Sequence, residues 1–346
     1  MLAMTVVPGQ PDSAAATERE QPAPAEGDVL VQGLAVGICG TDHEVVAGAH
    51  GAPPAGRSDL VIGHESLGRV VSAPDDSGLH AGDLVVGIVR RPDDCDCCRA
   101  GLWDYCRTGN YVERGIKGAD GYGAQQWRVP AKFAVRVADS LASTGVLLEP
   151  TTVVAKAWEQ IDLVRARVPA LPNPVALITG AGPIGLLAAL LAVQRGYDTH
   201  VYDRVSDGPK PQLVADLGAT YHSGELADLK LAPDAVVEAT GVGALVFAIS
   251  EMTAPNAVIC LTGISSGTRD IQVGADELNA RMVMGNDAIV GSVNANRTHY
   301  EQAATALENA DVRWLERLIT RRVPIASWPD ALTRQPGDVK VVVELS

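Results

Sequence analysis

The feature that most constrains the fold is the longest uncharged stretch of the chain, LITGAGPIGLLAALLAVQ at residues 177–194. On length alone this stretch could cross a membrane. However, three glycines and a proline fall within its first half, and these residues would break a membrane-spanning helix. A buried strand, a glycine turn and a buried helix account for the same residues. We therefore expect a globular protein with no membrane partner.

From about residue 160 onward, apolar runs of strand length alternate with runs of helix length. The runs PVALITGAG, DTHVYD, DAVVEATG, NAVICLTG and DAIVGSV are typical of strands that are buried on both faces. Alternation of strand and helix at this spacing predicts a parallel sheet with helices on both faces. We assign residues 159–300 to this α/β domain.

The turn GAGPIG, which contains Pro183 and Ile184, places glycines at 180, 182 and 185 between a buried strand and a helix. This context identifies the pattern as the dinucleotide-binding turn of a doubly wound Rossmann domain. Gly180 permits the tight turn, Gly182 lets the pyrophosphate approach the backbone, and Gly185 allows close packing of helix on strand. The helix N-terminus then offers free N–H groups to the phosphates.

The cofactor predicted for this turn is NAD, with NADP as the alternative. Asp203 lies near the end of the second strand, where a carboxylate can accept a hydrogen bond from the ribose 2′-hydroxyl and would repel a 2′-phosphate. Arg204 and Lys210 follow closely and leave NADP open. Thr240 and Gly241, at the end of DAVVEATG, are further predicted cofactor-binding residues.

Residues 1–158 have a different pattern and, together with residues 301–346, form the second predicted domain. Short β-like runs such as DVLVQGLAVGI and DLVVGIVRR are separated by Gly, Pro and Asp, which predicts a barrel-like β domain. The C-terminal part adds an amphipathic helix, HYEQAATALENA, and a final strand, KVVVELS.

Charge and targeting signals limit the partners and the location. The net charge is −14 and no Lys/Arg run is present, which argues against a nucleic-acid partner. The N-terminal residues contain no basic region followed by an apolar core, so we expect no signal peptide and a cytoplasmic protein.

Three residues that are far apart in the sequence could bind one metal ion. Cys39 lies in VGICGTDHE, His64 in GHES and Glu149 in LLEPTTVVAKA. One thiolate, one imidazole and one carboxylate suit zinc with an open fourth position, the pattern of catalytic sites. Spacing alone does not show that these side chains meet, because a lone Cys or His is more often a core residue.

The ordered motifs GICGTD, GHE, LLEP and GAGPIG resemble those of the medium-chain zinc-dependent dehydrogenases over nearly the whole chain. The resemblance implies a GroES-like β-rich catalytic domain beside the Rossmann domain, with Cys39, His64 and Glu149 as ligands of a catalytic zinc ion. It also marks Glu65 as a neighbour that can enter or leave the coordination shell of the metal. Subunits of this family pair through the edges of their cofactor-domain sheets, which implies a homodimer or homotetramer.

A closer resemblance, to the glucose dehydrogenase subgroup, rests on RTGNYVERGIKGADGYGAQ at 107–125, LLEPTTVVAKAW at 147–158 and VGSVNANRTHYEQA at 290–303. It implies that Glu113 lies in the sugar pocket and accepts hydrogen bonds from hydroxyls. It places the VNANR turn beside the nicotinamide, so Asn294 and Asn296 are candidates for cofactor or sugar contact. Val89 is a departure, because some relatives carry a polar asparagine there, and it weakens the assignment to one specific sugar.

The chemistry implied is hydride transfer from an alcohol carbon to the nicotinamide, with zinc as a Lewis acid on the substrate oxygen. The hydroxyl of Thr41, two residues past the cysteine, is well placed to relay the proton. His43 is either the next station of this relay or an ordinary surface histidine. Asp42 is expected to orient the loop or a metal-bound imidazole.

Four of the six cysteines crowd into DDCDCCRAGLWDYC. In a large chain without a signal peptide, such crowding favours a metal site over disulfides. Relatives have four cysteines here, spaced for a structural zinc ion, whereas this spacing is compressed and puts two cysteines next to each other. A metal-free lobe is the alternative to the ligand set that we favour, which is Cys95, Cys98 and Cys106 with either Cys97 or an aspartate, Asp93 or Asp94.

The leading hypothesis is therefore a zinc-dependent, NAD(P)-dependent oxidoreductase that acts on a sugar or polyol, with oxidation of a glucose-like aldose to its lactone as the first expectation. An amino alcohol, a threonine-like compound or a cyclitol is the alternative substrate. A non-catalytic nucleotide-sensing protein on the same fold is the remaining alternative. The presence of all the candidate metal ligands argues against that last hypothesis.

Overall fold

The computed structural model describes residues 1–23, 25, 27–265 and 270–346, and these residues divide into two compact units. The β-rich unit comprises Met1–Glu149 and Ala295–Ser346, and the α/β unit comprises Pro150–Asn294. The sequence analysis placed the boundaries between the two domains at residues 158 and 300. The first boundary between the compact units falls after Glu149, next to the start of a long helix at Leu148. Trp158 of this helix donates a hydrogen bond to the Ala188 carbonyl of the α/β unit, 3.1 Å away.

Within the described residues the strands are β1 (Leu2–Val6), β2 (Ala15–Glu18), β3 (Asp28–Ile38), β4 (Leu60–Val61), β5 (Glu65–Ser72), β6 (Leu84–Gly87), β7 (Arg90–Arg91), β8 (Val112–Arg114), β9 (Gly118–Ala119), β10 (Gln126–Pro130), β11 (Ala134–Val137), β12 (Val175–Thr179), β13 (Asp198–Tyr202), β14 (Thr220–His222), β15 (Ala235–Glu238), β16 (Val258–Leu261), β17 (Ala288–Gly291), β18 (Ile319–Pro324) and β19 (Lys340–Glu344). The α-helices are α1 (Gly40–Ala47), α2 (Asp96–Arg99), α3 (Leu148–Arg165), α4 (Pro183–Gln194), α5 (Pro209–Asp216), α6 (Gly243–Ser250), α7 (Ala275–Gly285), α8 (Arg297–Glu308) and α9 (Val312–Leu318).

The β-rich unit is built around a sheet in the order β11-β6-β5-β3-β19-β18, with β10 also pairing with β3. The long strand β3 alternates buried and partly buried residues over its first half and becomes fully buried towards Ile38. The C-terminal strand β19 pairs antiparallel with β3, so that Val343 lies opposite Val36 in a core that also contains Trp328. Both ends of the sequence therefore build one sheet, and β3 delivers Cys39 at its carboxyl end.

The α/β unit contains a six-stranded parallel sheet in the order β14-β13-β12-β15-β16-β17. This is the strand order of the doubly wound dinucleotide-binding fold, and the prediction of a parallel sheet is confirmed. The central strand β12 leads through the glycine turn into α4, which is buried on nearly every side. A strand and helix enclosed in this way explain the uncharged stretch at residues 177–194. None of the helices in the described parts of the chain has both the length and the apolar character needed to cross a bilayer.

Candidate metal centre and dinucleotide site

Cys39, His64 and Glu65 converge at one point in the β-rich unit. Their ligand atoms all lie within 4.8 Å of one another, and the Cys39 Sγ is 3.1 Å from the His64 Nε2. Cys39 caps the N-terminus of α1, where its sulfur accepts a hydrogen bond from the Thr41 N–H at 3.3 Å. A thiol, an imidazole and a carboxylate at such separations form the donor set of a catalytic zinc site. These residues therefore fit the metal that the sequence implies.

Asp42 supports two members of this cluster. Its side chain is completely buried, accepts the Cys39 N–H at 2.9 Å and lies 3.5 Å from the His64 Nδ1. Burial opposes the charge on Asp42, but the imidazole of His64 and the Cys39 N–H together lower the pKa of the carboxyl. Burial likewise opposes the charge on His64, yet the neighbouring Cys39 and Asp42 raise its pKa well above the usual value. The carboxylate at Nδ1 leaves Nε2 directed towards the sulfur.

Lys340, which the sequence analysis did not single out, brings a positive charge to the cluster. It lies at the start of β19, almost completely buried, and forms an ion pair with the Glu65 carboxylate. Its ammonium group also donates to the Ile38 carbonyl oxygen at 3.0 Å. Burial acts to lower the pKa of Lys340, but Glu65 and Cys39 raise it, so the side chain stays charged. The sequence feature that could have indicated this role is a single lysine at the start of the apolar strand β19.

Glu149, the third ligand implied by the resemblance, lies in the first turn of α3. It is not one of the three residues whose ligand atoms lie within 4.8 Å of one another, a set that contains Glu65 instead. Burial raises the pKa of Glu149 to about 7, with His64 acting to lower it and Glu65 to raise it further. Glu149 therefore lies within electrostatic range of the cluster, and its role as a ligand stays a prediction.

The predicted proton relay starts beside the sulfur and reaches the surface. Thr41 is half-buried in the first turn of α1, whereas His43 is exposed. His43 lines a surface groove of about 260 Å³ together with Val46 and Leu332. The relay from Thr41 to His43 stays a prediction.

A second cluster is formed by Asp93, Cys95, Cys98 and Cys106, whose ligand atoms also lie within 4.8 Å of one another. We call residues 93–108 the cysteine lobe. The Cys95 Sγ is 4.0 Å from the Cys106 Sγ, and the Cys106 Sγ is 3.4 Å from a carboxylate oxygen of Asp93. Three thiols and one carboxylate can hold zinc as a structural site.

The ligand set that the sequence left open stays a prediction, but the cluster contains one of the two candidate aspartates. The aspartate in the cluster is Asp93, whose pKa is lowered by the Thr108 hydroxyl and the Cys95 N–H. Cys97 is not a member of this group; it neighbours Cys98 on the short helix α2, where successive residues are about 100° apart around the axis. The Thr108 hydroxyl also lowers the pKa of Cys106, which favours the thiolate that a metal needs.

Glu113, the predicted sugar-binding residue, is buried on β8 and paired with Arg90 of β7. The Arg90 Nε and Nη2 both donate to Glu113 Oε1, at 3.1 and 3.0 Å. The guanidinium of Arg90 also stacks on Tyr111, 3.6 Å from the ring centroid. The carboxylate is therefore held in one orientation by a cation that the sequence analysis passed over. Val89, next to Arg90, is buried as well.

The two asparagines of the VNANR turn occupy different positions. Asn294, the last residue of the α/β unit, adopts a left-handed backbone conformation with φ of 59°. Asn296 is the N-cap of α8 and accepts the Thr298 N–H at 3.0 Å. Its amide nitrogen donates to the Asp104 carboxylate at 3.0 Å. Protein groups therefore engage both ends of the Asn296 amide, and ligand contact by either asparagine stays a prediction.

The glycine turn of the α/β unit has the backbone that a phosphate site needs. Gly180 adopts φ of 88°, a left-handed conformation that favours glycine. A Cβ at Gly185 would collide with the Gly180 carbonyl oxygen, so only glycine allows α4 to approach the turn. Pro183 occupies the first turn of α4 after the N-cap Gly182, with Ile184 next in the helix. The free N–H groups of this helix N-terminus are suited to a pyrophosphate.

Asp203 is tied to this turn by hydrogen bonds. One carboxylate oxygen accepts the Ala181 N–H at 2.7 Å and the Lys210 ammonium at 2.9 Å, and the other accepts the Val205 N–H at 3.0 Å. Burial acts to raise the pKa of Asp203, but Lys210 and the two N–H donors lower it overall. Arg204 is exposed beside this group. The charge of Asp203 is thus balanced by Lys210.

Glu238 is a further residue that the sequence analysis missed. It ends β15, is completely buried, and accepts the N–H groups of Thr240 and Gly241 at 2.7 and 3.2 Å. The Thr179 hydroxyl donates to the same oxygen at 3.4 Å. A single charged residue at the end of an apolar strand was the signal. Glu238 therefore fixes the turn that carries Thr240 and Gly241, two of the predicted cofactor-binding residues.

Comparison with known proteins identifies two families along the chain. Residues 25–139 match the alcohol dehydrogenase GroES-like domain family, and residues 142–345 match the glucose dehydrogenase C-terminus family. The chain is 38% identical to a glucose 1-dehydrogenase of Methanocella arvoryzae, over 100% of this chain and 99% of that protein. It is 37% identical to a glucose 1-dehydrogenase of Thermoproteus tenax with the same coverage.

The fold is also similar to that of solved structures. A structure of Haloferax mediterranei glucose dehydrogenase in complex with NADP, Zn and gluconolactone superposes with a TM-score of 0.92. The two chains are 34% identical, and the match covers 100% of this chain and 99% of the other.

Proposed function

The chain belongs to the medium-chain zinc-dependent dehydrogenases, in their glucose dehydrogenase subgroup, and from this premise we propose that it oxidises a glucose-like aldose to its lactone with NAD(P) as hydride acceptor. The protein is a zinc-dependent sugar dehydrogenase. The observation that carries this proposal is the convergence of Cys39, His64 and Glu65 with Asp42 beneath them. This cluster lies in a chain that matches its relatives from end to end.

The chain's own residues prepare the site for this reaction. When bound, zinc polarises the substrate oxygen and the nicotinamide accepts the hydride. Cys39 and His64 would hold the metal, with Glu149 or Glu65 supplying the carboxylate. Asp42 fixes the ring orientation of His64 through Nδ1.

Other residues handle the sugar and the proton. Glu113, held by Arg90, offers carboxylate oxygens that accept hydrogen bonds from sugar hydroxyls. The hydroxyl of Thr41, the residue whose N–H donates to the sulfur, would take the proton released by the substrate hydroxyl, and His43 would pass it to solvent. Asn294 and Asn296 would contact the nicotinamide or the sugar.

The cofactor site supports NAD(P), and we propose that the enzyme accepts both forms. Gly180, Gly182 and Gly185 provide the phosphate turn. Asp203 can approach a ribose hydroxyl, while Lys210 offsets the repulsion that its carboxylate would exert on a 2′-phosphate. The exposed Arg204 adds a second positive charge for a 2′-phosphate.

This function is tested on purified protein that is free of other oxidoreductases. Zinc per chain is measured, and nicotinamide absorbance is followed with glucose, other aldoses, polyols, a cyclitol and an amino alcohol, each with NAD and with NADP. We expect the fastest turnover with an aldose, and no turnover for Cys39→Ser. Turnover with the cyclitol or amino alcohol alone would redirect the substrate assignment. A zinc-loaded sample that oxidises none of these compounds would overturn the proposal.

The cofactor-domain sheet also offers a surface for self-association. Among the described residues, β17 pairs only with β16 and forms one edge of the six-stranded sheet. Large apolar side chains on the same unit are exposed, among them Met284 at 84% and Val283 at 66%. We propose that two copies pair through this edge to form a dimer or tetramer. Sedimentation that shows only monomers, for the wild type and for Val290→Lys alike, would contradict this.

All six cysteines are free thiols, and we propose a cytoplasmic location because a reducing compartment keeps thiols available for metals. Cell fractionation with antibody detection tests this. Recovery in a secreted or membrane fraction would contradict it.

A further inference from the structure

A short 3-10 helix, Trp103–Tyr105, follows α2 inside the cysteine lobe and is closed by Cys106, whose N–H donates to the Trp103 carbonyl at 3.2 Å. We call it the lobe helix. Its first two residues, Trp103 and Asp104, are buried in the β-rich unit, whereas Tyr105 is exposed. Asp104 is thus a buried carboxylate that has no part in either metal cluster. The side chains of Trp103 and Asp104 and the Trp103 carbonyl form hydrogen bonds with residues outside the cysteine lobe.

On one side, the lobe helix holds the turn that follows Asn294. The indole N–H of Trp103 donates to the Ala295 carbonyl oxygen at 3.0 Å, and the Asp104 carboxylate accepts the Asn296 side-chain amide at 3.0 Å. Two adjacent residues therefore anchor two adjacent residues through buried hydrogen bonds. Asn294, directly before them, has a left-handed backbone conformation, which asparagine adopts more readily than most residues.

On its other side, the same helix supports the side chain that holds Glu113. The backbone carbonyl of Trp103 accepts a hydrogen bond from Arg90 Nη1 at 3.3 Å. The remaining nitrogens of the same guanidinium, Nε and Nη2, bind the Glu113 carboxylate. A shift of the lobe helix would move the donor group of Arg90, and with it the orientation of Glu113.

We propose that the lobe helix is a positioning element for the active site, in which Trp103 and Asp104 fix the turn that carries Asn294 and Asn296, and Trp103 also steadies Glu113 through Arg90. This inference rests on the proposed function, because the sugar and cofactor contacts of those residues belong to it. In this proposal Trp103 and Asp104 are positioning residues, which act through Ala295, Asn296 and Arg90. Small displacements of binding groups have large effects on rate and affinity, which gives this support a functional consequence.

The chain offers a matched set of variants to test it. Trp103→Phe keeps a ring against Phe133, where the centroids are 5.9 Å apart, and removes the five-membered ring of the indole together with the N–H that donates to the Ala295 carbonyl. Trp127→Phe is the control, because Trp127 is equally buried and its indole N–H has no hydrogen-bond partner among the described residues. Asp104→Ala removes the acceptor for Asn296, whereas Asp104→Asn retains a carbonyl oxygen that can accept the same bond.

The readouts are the KM for glucose, the KM for the cofactor and the Kd for reduced cofactor from its fluorescence, all at a temperature well below the melting point of each variant. We expect Trp103→Phe and Asp104→Ala to raise these constants by about three- to tenfold, the effect of losing one buried hydrogen bond. Trp127→Phe and Asp104→Asn should stay within about twofold of the wild type by the same argument.

Lower melting temperatures with unchanged KM and Kd values for Trp103→Phe and Asp104→Ala would show a merely structural helix and overturn the proposal. If Asp104→Ala fails to fold, the comparison of Trp103→Phe with Trp127→Phe decides. Failure of the proposed function is distinguishable, because the wild type would then oxidise no sugar, while cofactor affinity would still report on the turn.

Discussion

The ammonium group of Lys340 lies against the carboxylate of Glu65, and both side chains are almost completely buried. Lys340 comes from β19, the last strand, whereas Glu65 directly follows the candidate ligand His64. A buried carboxylate beside a metal ligand is therefore balanced by a cation from the far end of the sequence. The stability of the β-rich unit should therefore depend on the charge balance at its candidate metal centre.

Removal of this cation should destabilise the protein strongly. Lys340→Met leaves Glu65 as an uncompensated buried charge, and we expect the free energy of unfolding of the metal-free protein to fall by about 3–5 kcal/mol. Urea denaturation measures this, with Lys132→Met as the control because Lys132 is exposed on the same unit. The double variant Lys340→Met/Glu65→Gln should recover much of the loss. A loss below about 1 kcal/mol for Lys340→Met would mean that the pair contributes little.

Lys210 should influence which cofactor is preferred. In Lys210→Met the Asp203 carboxylate loses its partner and faces a 2′-phosphate without compensation, so the KM for NADP should rise about tenfold. The KM for NAD should change less than about threefold, because NAD has a hydroxyl at that position. Lys230→Met, which alters an exposed lysine of the same unit, serves as the control. Equal effects on both cofactors would contradict a role in discrimination.

The cysteine lobe should lose its metal when one specific aspartate is replaced. Asp93 belongs to the cluster with Cys95, Cys98 and Cys106, whereas Asp94 is exposed next to it. Asp93→Ala should lower metal affinity of the lobe about 10- to 100-fold and Asp94→Ala should leave it unchanged. Zinc per chain, measured by mass spectrometry after dialysis against a weak chelator, compares them. Wild-type protein that carries only one zinc ion would argue for a metal-free lobe.

Glu149 should make the stability of the metal-free protein depend on pH. Burial raises its pKa from 4.5 to about 7, so between these values the folded protein holds a proton that the unfolded chain has released. Unfolding free energy therefore falls as the pH rises through this window, by at most about 3 kcal/mol from this group. Glu149→Gln removes the contribution, and denaturation of both proteins from pH 4 to 8 isolates it. Parallel curves for the two proteins would contradict the raised pKa.

Local signals in the sequence were sufficient for the α/β unit, because the glycine turn, its flanking strand and its helix are contiguous. The resemblance, rather than spacing, pointed to Cys39 and His64 as partners, and the structure brings the two within 3.1 Å. Lys340 and Asp104 were missed because their partners lie far away in the sequence, as shown by the separation of 302 residues between Lys340 and Ile38. No periodicity encodes such contacts.

The helix α3 was also not predicted from the sequence. The segment LLEPTTVVAKAW was considered as a metal motif and as a mark of the subgroup but not as a helix, although the proline after Glu149 falls in the first turn, where helices tolerate it. Glu238 escaped notice for a different reason, since its signal was a single charged residue at the end of an apolar strand and its bonding partners lie in its own turn.

The pairing of β19 with β3 has a consequence for biosynthesis. A ribosome synthesises Cys39 and His64 early, and then the entire α/β unit, before it reaches Lys340. The nascent chain can therefore complete its nucleotide-binding half while the earlier half still lacks the strand that neutralises Glu65. A frameshift shortly before β19 would thus spare the residues of the α/β unit and remove the partner strand of β3 together with the cation that faces Glu65.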